Sequence, residues 1–368
     1  MTVIKKTAKD PVLQITVILA LASLFFARPK LADINFSTLW SLLGMMTIIQ
    51  IFEYLHILDY WAYRLTSNAN NTRQLTRLFI VLALVSGMFL TNDVTVLTLI
   101  PLYLRIAKKY NLPEIIPVTL IGMAANFGSA FTPFGNPHNI FILMHYQVPA
   151  LTFFKWSLPL LLADILILTV FSFFVKPTPV PEVPVRDIRI QMRPTLVTVG
   201  VALLIFAGVF GVLPTWVGAI AAVALAIGLN PVILQHVDYA IILTFTGFFI
   251  IVSNISQIPW LVATLGALEK SPTSVYLSSI LTSQFISNVP STVLLAKFTP
   301  HAAALFYGSN IGGLGSIVGS MANLLVFKQY SQFGNHDRKR FFAGFTAVNF
   351  AGLLILGTLG WLLAITVK

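Results

Sequence analysis

The sequence predicts an all-α polytopic membrane protein made of two inverted repeats, each with a re-entrant hairpin and a broken transmembrane helix. Three observations predict it. Of 368 residues, 57% are hydrophobic and only 10% are charged, too little polar surface to cover a soluble domain of that length. Apolar runs of about 17–25 residues, long enough to cross the hydrocarbon core, recur along the chain. Inside those runs one polar device is written twice. Residues 126–139 align without a gap on residues 310–323, setting Asn126 on Asn310, Gly128 on Gly312, Thr132 on Ser316, Gly135 on Gly319 and Asn139 on Asn323, a constant offset of 184 (310 − 126). A second pair lies upstream of each copy: Thr91-Asn92-Asp93 with Thr95, and Ser287-Asn288-Val289 with Ser291. Irregular polar backbone at membrane depth is tolerated only where it lines a buried or watery cavity.

Composition also excludes. The formal charge is +11, but Lys and Arg cluster at the ends of apolar runs, so they report topology rather than a nucleic-acid partner. Without cysteine there are neither disulfides nor thiolate metal sites. Lys5, Lys6 and Lys9 precede the apolar run 12–27, which in so hydrophobic a chain reads as an uncleaved first helix rather than a signal peptide.

Taken in order, residues 12–27 and 36–54 form the first two spans, and 56–65 lies at the interface. Residues 78–104 hold Thr91-Asn92-Asp93 at their centre, with Arg73 and Arg77 before and Arg105, Lys108 and Lys109 after. A single span has a basic bias at one end. Two basic ends fit a re-entrant hairpin with limbs of about 13 residues, or about 20 Å; one long tilted helix is the alternative. A broken span over 112–144 and a span over 154–175 complete the first repeat, 1–175. Residues 176–194, rich in Pro and charge, form a cytoplasmic linker. The second repeat, 195–368, carries one extra helix. Spans over 195–210, 216–229 and 239–252 and a partly polar stretch over 256–268 lead to a hairpin over 275–298. A broken helix over 302–327 and a last span over 341–367 follow. Counting from an inside N-terminus gives about nine crossings and an outside C-terminus. The first hairpin then enters from the cytoplasm and the second from outside, an inverted arrangement whose polar breaks meet where a carrier binds its substrate.

Helices that stop within the membrane leave N–H groups at one end and carbonyls at the other. The first favour anions; the second favour cations. The candidate substrate set is Thr91, Asn92, Thr95, Asn126, Thr132, Asn136, Asn139, Ser287, Asn288, Ser291, Asn310, Ser316 and Asn323. The candidate coupling set is Asp93, Asn92, Asn288, Gly128 and Gly312, with Na⁺ at Asp93, Asn92 and Asn288. For each of these, local capping of its own half-helix is the structural alternative; for Thr98 and Thr292 it is the preferred reading. A mid-membrane carboxylate costs about 2.5–3.5 kcal/mol on insertion scales, so Asp93 is read as binding Na⁺ or a proton, or else as an N-cap for a limb starting at Val94. Asp164 lies outside the repeated elements and serves either coupling or a hydrogen bond to a neighbouring helix. His138 and His145 lack a carboxylate at metal-ligand spacing. Lys297 is expected to snorkel to the outer interface. No phosphate loop, serine nucleophile motif or histidine pair on one helix face is present, which disfavours an enzyme.

These motifs resemble the ion transporter superfamily, which includes divalent anion:sodium symporters, citrate transporters, and arsenite and sodium/proton antiporters. In the anion symporters a Ser-Asn-Thr motif stands at each hairpin tip. Thr91-Asn92-Asp93 and Ser287-Asn288-Val289 occupy those positions, and Gly135-Asn136-Pro137-His138-Asn139 resembles the family's Gly-rich loop. Asp93 and Val289 replace the family threonine and are more similar to the arsenite and sodium/proton branch. The resemblance implies a scaffold, often dimerising, and a transport domain that moves as an elevator with substrate and Na⁺ between tips and loops. The expectation is a secondary carrier in the plasma membrane, a bacterial cytoplasmic membrane, moving a small anion with Na⁺ or H⁺ as coupling ion and no other cofactor, as a homodimer. A sodium/proton or arsenite-type antiporter and an ion channel are the alternatives.

Overall fold

Helix starts are written into the chain as caps. Asp10 Oδ1 accepts from Leu13 N at 2.8 Å, Asn35 from Thr38 N, Asn71 from Gln74 N, and Ser271 with Ser274 forms a reciprocal capping box, each satisfying amides that have no partner within the helix. The computed structural model describes residues 7–8, 10–66, 69–180, 190–268, 270–335 and 337–366. Among them are seventeen α-helices, two short 3₁₀ helices and no strand, with one isolated bridge between Asn71 and Pro179. The first half contains α1 (Pro11–Ser23), α2 (Phe36–Tyr54), α3 (Ile57–Thr66), α4 (Thr72–Leu90), α5 (Asn92–Tyr110), α6 (Ile115–Phe131), α7 (Pro137–His145) and α8 (Ala150–Ser172). The second contains α9 (Met192–Val209), α10 (Thr215–Leu229), α11 (Tyr239–Ile255), α12 (Pro259–Leu268), α13 (Pro272–Ile286), α14 (Asn288–Ala296), α15 (Ala302–Gly312), α16 (Met321–Phe333) and α17 (Arg338–Thr366). The basic N-terminal residues and Arg186 and Arg189 of the expected linker lie outside the described residues.

Helix stops and restarts at Thr91 and at Ser287, and non-helical segments separate α6 from α7 and α15 from α16. The chain reverses at Thr91, and Phe79 of α4 meets Tyr103 of α5 edge-on at 5.3 Å, so 78–104 is two antiparallel limbs and not one tilted helix. The limbs are longer than expected. Each has 19 residues, because Asn71 caps α4 ahead of the basic cluster and Asn111, left-handed at φ 51, ends α5 only after Lys109. The second hairpin is shorter, with limbs of 15 and 9 residues. Pro133, Gly135 and Pro137 interrupt the helix between α6 and α7. Between α15 and α16 the interruption falls at Gly313 and Gly315, the latter at φ +93.

Five helices (α2, α4, α8, α9 and α17) are long and apolar enough to cross a membrane, and α11 with α12 would add a sixth although bent by 103°. Nine crossings require the shorter apolar helices α1, α6 and α10 and the broken pairs as well.

Packing repeats when the halves are exchanged. In each half the inner limb packs on the first part of the broken helix (α4 on α6, α13 on α15), which packs in turn on the last helix (α6 on α8, α15 on α17). The outer limb packs on the second part of the other half's broken helix (α5 on α16, α14 on α7), while α10 pairs with α2 and α1 with α11. Two groups of helices result. One is α1, α2, α9, α10 and α11; the other holds the hairpins, the broken helices, α8 and α17.

Candidate substrate-binding site

The two hairpin tips share one backbone conformation. Thr91 stands at φ 69, ψ 154 and Ser287 at φ 72, ψ 153, a region that side chains rarely adopt and that costs about 1–3 kcal/mol. The tip residues Thr91 and Ser287 make no side-chain cap bond to α5 and α14, and two helix N-termini begin at the polar centre. Asp93 N and Asn288 N already have acceptors, in Asn92 Oδ1 and Gly319 O, and the N-terminal turns as a whole form the positive end of each helix.

The duplicated asparagines join the halves by two crossed pairs. Asn126 Nδ2 donates to Asn323 Oδ1 at 2.9 Å, and Asn310 Nδ2 donates to Asn139 Oδ1 at 2.9 Å. These are equivalent contacts with the halves exchanged. Each acceptor is in turn held by its own broken loop. Asn139 Nδ2 donates to the carbonyls of Ser129 and Thr132 at 3.1 and 3.4 Å; Asn323 Nδ2 donates to those of Gly313 and Ser316 at 2.8 and 3.0 Å. The tips enter the same network. Asn92 Nδ2 donates to Asn126 Oδ1 at 2.9 Å, Ser320 Oγ donates to that oxygen at 3.1 Å, and Asn288 N donates to Gly319 O at 3.0 Å. A short path of amides and one hydroxyl therefore links one tip to the other. The symmetry stops at Asn288, whose Nδ2 turns to Ser309 O at 3.3 Å instead of to Asn310.

Four of the candidate hydroxyls, those of Thr95, Ser291, Thr132 and Ser316, are engaged within the fold. Thr95 Oγ1 donates to Thr91 O at 2.8 Å, and Ser291 Oγ bonds Thr282 Oγ1 across the second hairpin. Thr132 Oγ1 donates to Met88 O and accepts from Gly135 N. Ser316 Oγ does the same with Gln284 O and Gly319 N, fastening each broken loop to its hairpin. Thr98 and Thr292 donate to Val94 O and Asn288 O within their own helices. A Cβ on Gly128 would lie 2.0 Å from Leu84 O, and one on Gly312 2.8 Å from Ser283 Oγ; both glycines let a broken helix press against an inner limb. Asn136 is buried at the start of α7 without a side-chain cap bond.

Three participants were not legible as site residues. His138 is fully buried with Nε2 3.2 Å from Asn310 Oδ1; that amide orientation makes Nε2 the donor and leaves Nδ1 without a partner. Gln284 braces the second loop, its Nε2 donating to Gly312 O and Leu314 O and its Oε1 accepting from Ser316 N at 2.8 Å. Ser320 is the mate of Asn136 at the same offset of 184 (320 − 136), a signal that was available.

Asp93 is the second residue of α5. Its backbone N–H donates to Asn92 Oδ1 at 3.0 Å, and its own buried Oδ1 has no partner. It does not cap a limb starting at Val94, since α5 begins at Asn92. Lys297 does not snorkel freely. Its Nζ meets Asp33 Oδ1 at 2.7 Å, Ser253 Oγ donates to Asp33 Oδ2 at 2.7 Å, and the Lys297 hydrogen bond holds the Asp33 carboxyl below its ordinary value. This ion pair ties the end of α14 to the connection between α1 and α2. A cavity of about 380 Å³ lies beside it, lined by Asp33, Phe141, His145, Ser253, Val293 and Lys297. Another of about 280 Å³ flanks the first hairpin, lined by Glu53, His56, Asp59, Val94, Thr98 and Arg105.

The profile of the citrate transporter family matches residues 3–304, most of the chain. The chain belongs to the citrate transporter family. A member of this family is a membrane transporter, and this one is an integral protein of the plasma membrane. It is 28% identical over 326 residues to the inner membrane protein YbiR of Escherichia coli, covering 87% of each chain. It is 29% identical over 298 residues to an uncharacterized transporter of Methanocaldococcus jannaschii, covering 80% of this chain and 81% of that one. The crystal structure of the YdaH transporter of Alcanivorax borkumensis has a similar fold, with a TM-score of 0.61 at 15% identity over 89% of this chain and 85% of that chain.

Proposed function

We propose that this family member is a secondary active transporter that carries a small carboxylate or oxyanion, coupled to Na⁺ or H⁺, by elevator-type alternating access between inverted repeats. The observation that carries the reading is the crossed asparagine network. It joins two hairpin tips and two broken helices of opposite halves, and two helix N-termini point their amides at its centre. Such a centre suits a multiply hydrogen-bonding anion better than a large apolar solute. A coupling Na⁺ belongs at the first tip, where Asp93 and Asn92 are adjacent, with Asn288 at the second. The expected homodimer belongs to the same proposal.

Uptake of radiolabelled citrate, succinate, phosphate and sulfate into proteoliposomes, with and without a Na⁺ or pH gradient, tests this reading. Saturable, gradient-driven accumulation of one anion is expected, and ohmic current without saturation would instead mark a channel. A second reading, a cation/proton antiporter, is favoured by the unpartnered Asp93 oxygen. It requires proton movement on addition of Na⁺ with no anion present.

A further inference from the structure

Asp164 stands on α8, outside the duplicated elements, and is 1% exposed. Neither carboxylate oxygen has a hydrogen-bond partner. The structural alternative, a hydrogen bond to a neighbouring helix, is therefore absent. Other buried side-chain oxygens have no hydrogen-bond partner: Ser157 Oγ on the same buried face of α8, and Thr346 Oγ1 and Asn349 Oδ1 on α17, which packs against α8.

Register sets the depth of this seam. Phe154 of α8 meets Phe131 at the end of α6, and the two helices run antiparallel, which brings Asp164 to the level of Ile121. Gly344 abuts Ile115 and Gly352 abuts Met123, which brings Asn349 to the level of Leu120. Asp164 and Asn349 thus sit at one depth, on two helices that flank α6.

No cation faces the carboxyl from the packed elements. α6 has no ionisable residue between Ile115 and Phe131, and α15 offers only Tyr307, whose hydroxyl donates to Trp156 O. The charges of α17, Arg338, Lys339 and Arg340, lie at its start. On α4, Arg73 donates to Val175 O and Phe173 O, and Arg77 to Ser172 Oγ, at the far end of α8. Lys155 lies near the beginning of α8, and α7 adds His138 and His145, of which His138 is held by Asn310.

An ionised carboxylate that makes no hydrogen bond and meets no cation is strongly disfavoured in such surroundings, and the group neutralises instead. A proton needs one oxygen and no further ligand. We infer that Asp164 is a proton-binding site, its carboxyl carrying the proton in this conformation, and that a coupling proton crosses the membrane there. Only an O–H bond forms and breaks, the proton coming from water on one side and leaving to water on the other as α8 and α17 part. The coupling half rests on the proposed transport activity; the protonated site does not.

Infrared difference spectroscopy of the full protein in liposomes at pH 7, without substrate, tests the site. The carbonyl stretch of a protonated carboxylic acid should be present in the wild type, absent in Asp164→Asn and retained in Asp93→Asn. A wild type without that band overturns the site whether or not Asp164→Asn folds. A band that survives Asp164→Asn does so as well, and a wild-type band abolished by Na⁺ marks a sodium site instead. For the coupling half, the response of labelled citrate uptake to an imposed pH gradient should be lost in Asp164→Asn and regained in Asp164→Glu; an undiminished response in Asp164→Asn overturns it. Absence of anion uptake by the wild type would overturn the transport reading and leave the infrared result to stand by itself.

Discussion

Thr91 and Ser287 hold a positive φ that glycine would adopt without strain, yet neither tip is glycine. Relief of that strain should exceed the added chain entropy of the unfolded state, so Thr91→Gly is expected to stabilise the protein by about 1 kcal/mol in thermal unfolding. It should lower uptake at the same time, because the loosened tip no longer aims the first amides of α5. A Thr91→Gly protein that transports normally would mean the strain has no use. The asparagine pairs make a sharper case. Asn126→Leu leaves the Asn323 amide oxygen buried without its donor, at a cost of about 1–3 kcal/mol. Asn126→Leu with Asn323→Leu should cost less than the sum of the singles, by a coupling of about 0.5–3 kcal/mol. Additive losses in a double-mutant cycle would show that the pair does not hold the halves together.

Among the elements, the second hairpin carries an ion pair to the other helix group. The Lys297–Asp33 pair joins α14 to the α1–α2 connection, that is, one helix group to the other. If the hairpins move against α1, α2 and α11, this contact must open in every cycle. Asp33→Cys with Lys297→Cys, bridged by a short bifunctional thiol reagent, should stop uptake until the bridge is cleaved; the absence of cysteine removes background. Transport at full rate by the bridged protein would exclude such motion. As a partly exposed pair it contributes about 0.2–1 kcal/mol. Because Asp33 is held below its ordinary value of 3.8, that contribution is complete above this value and is lost as pH falls through the lower, folded one. The stability difference between wild type and Asp33→Asn should be flat across neutral pH and vanish only in strong acid.

At the scale of the whole molecule, contacts that recur on exchange of halves fit an inverted repeat, and labelling can decide the sidedness. The open end of the first hairpin carries Lys109 and that of the second His301. Lys109→Cys should react with an impermeant thiol reagent from the cytoplasm and His301→Cys from outside, as the basic flanks of the first hairpin require. Reaction of both from one side would remove the inverted arrangement.

Much of this molecule was legible along the chain because membrane depth penalises polar backbone, so every glycine- and amide-rich interruption had to mark a break or a tip. The two hairpins, the two broken helices and the pairing of Asn126 with Asn310 and Asn139 with Asn323 followed from that constraint and from the constant offset. Limb length did not, since caps at Asn71 and Asn111 let helix run on past the basic clusters that marked the ends. Partners did not either. An offset relates Asn126 to Asn310, but only packing shows that Asn126 bonds Asn323 and that His138, Gln284 and Ser320 complete the network. The same limit applies to charge: Lys297 read as a free snorkelling cation because its partner Asp33 is remote in sequence. Sequence leaves Asp164 open between coupling and a helix–helix hydrogen bond, whereas tertiary structure gives neither of its oxygens a hydrogen-bond partner. Sequence determined where the backbone must be irregular, because that cost is local; tertiary structure decided which buried polar atoms meet, because hydrogen bonds between halves depend on how the helices pack.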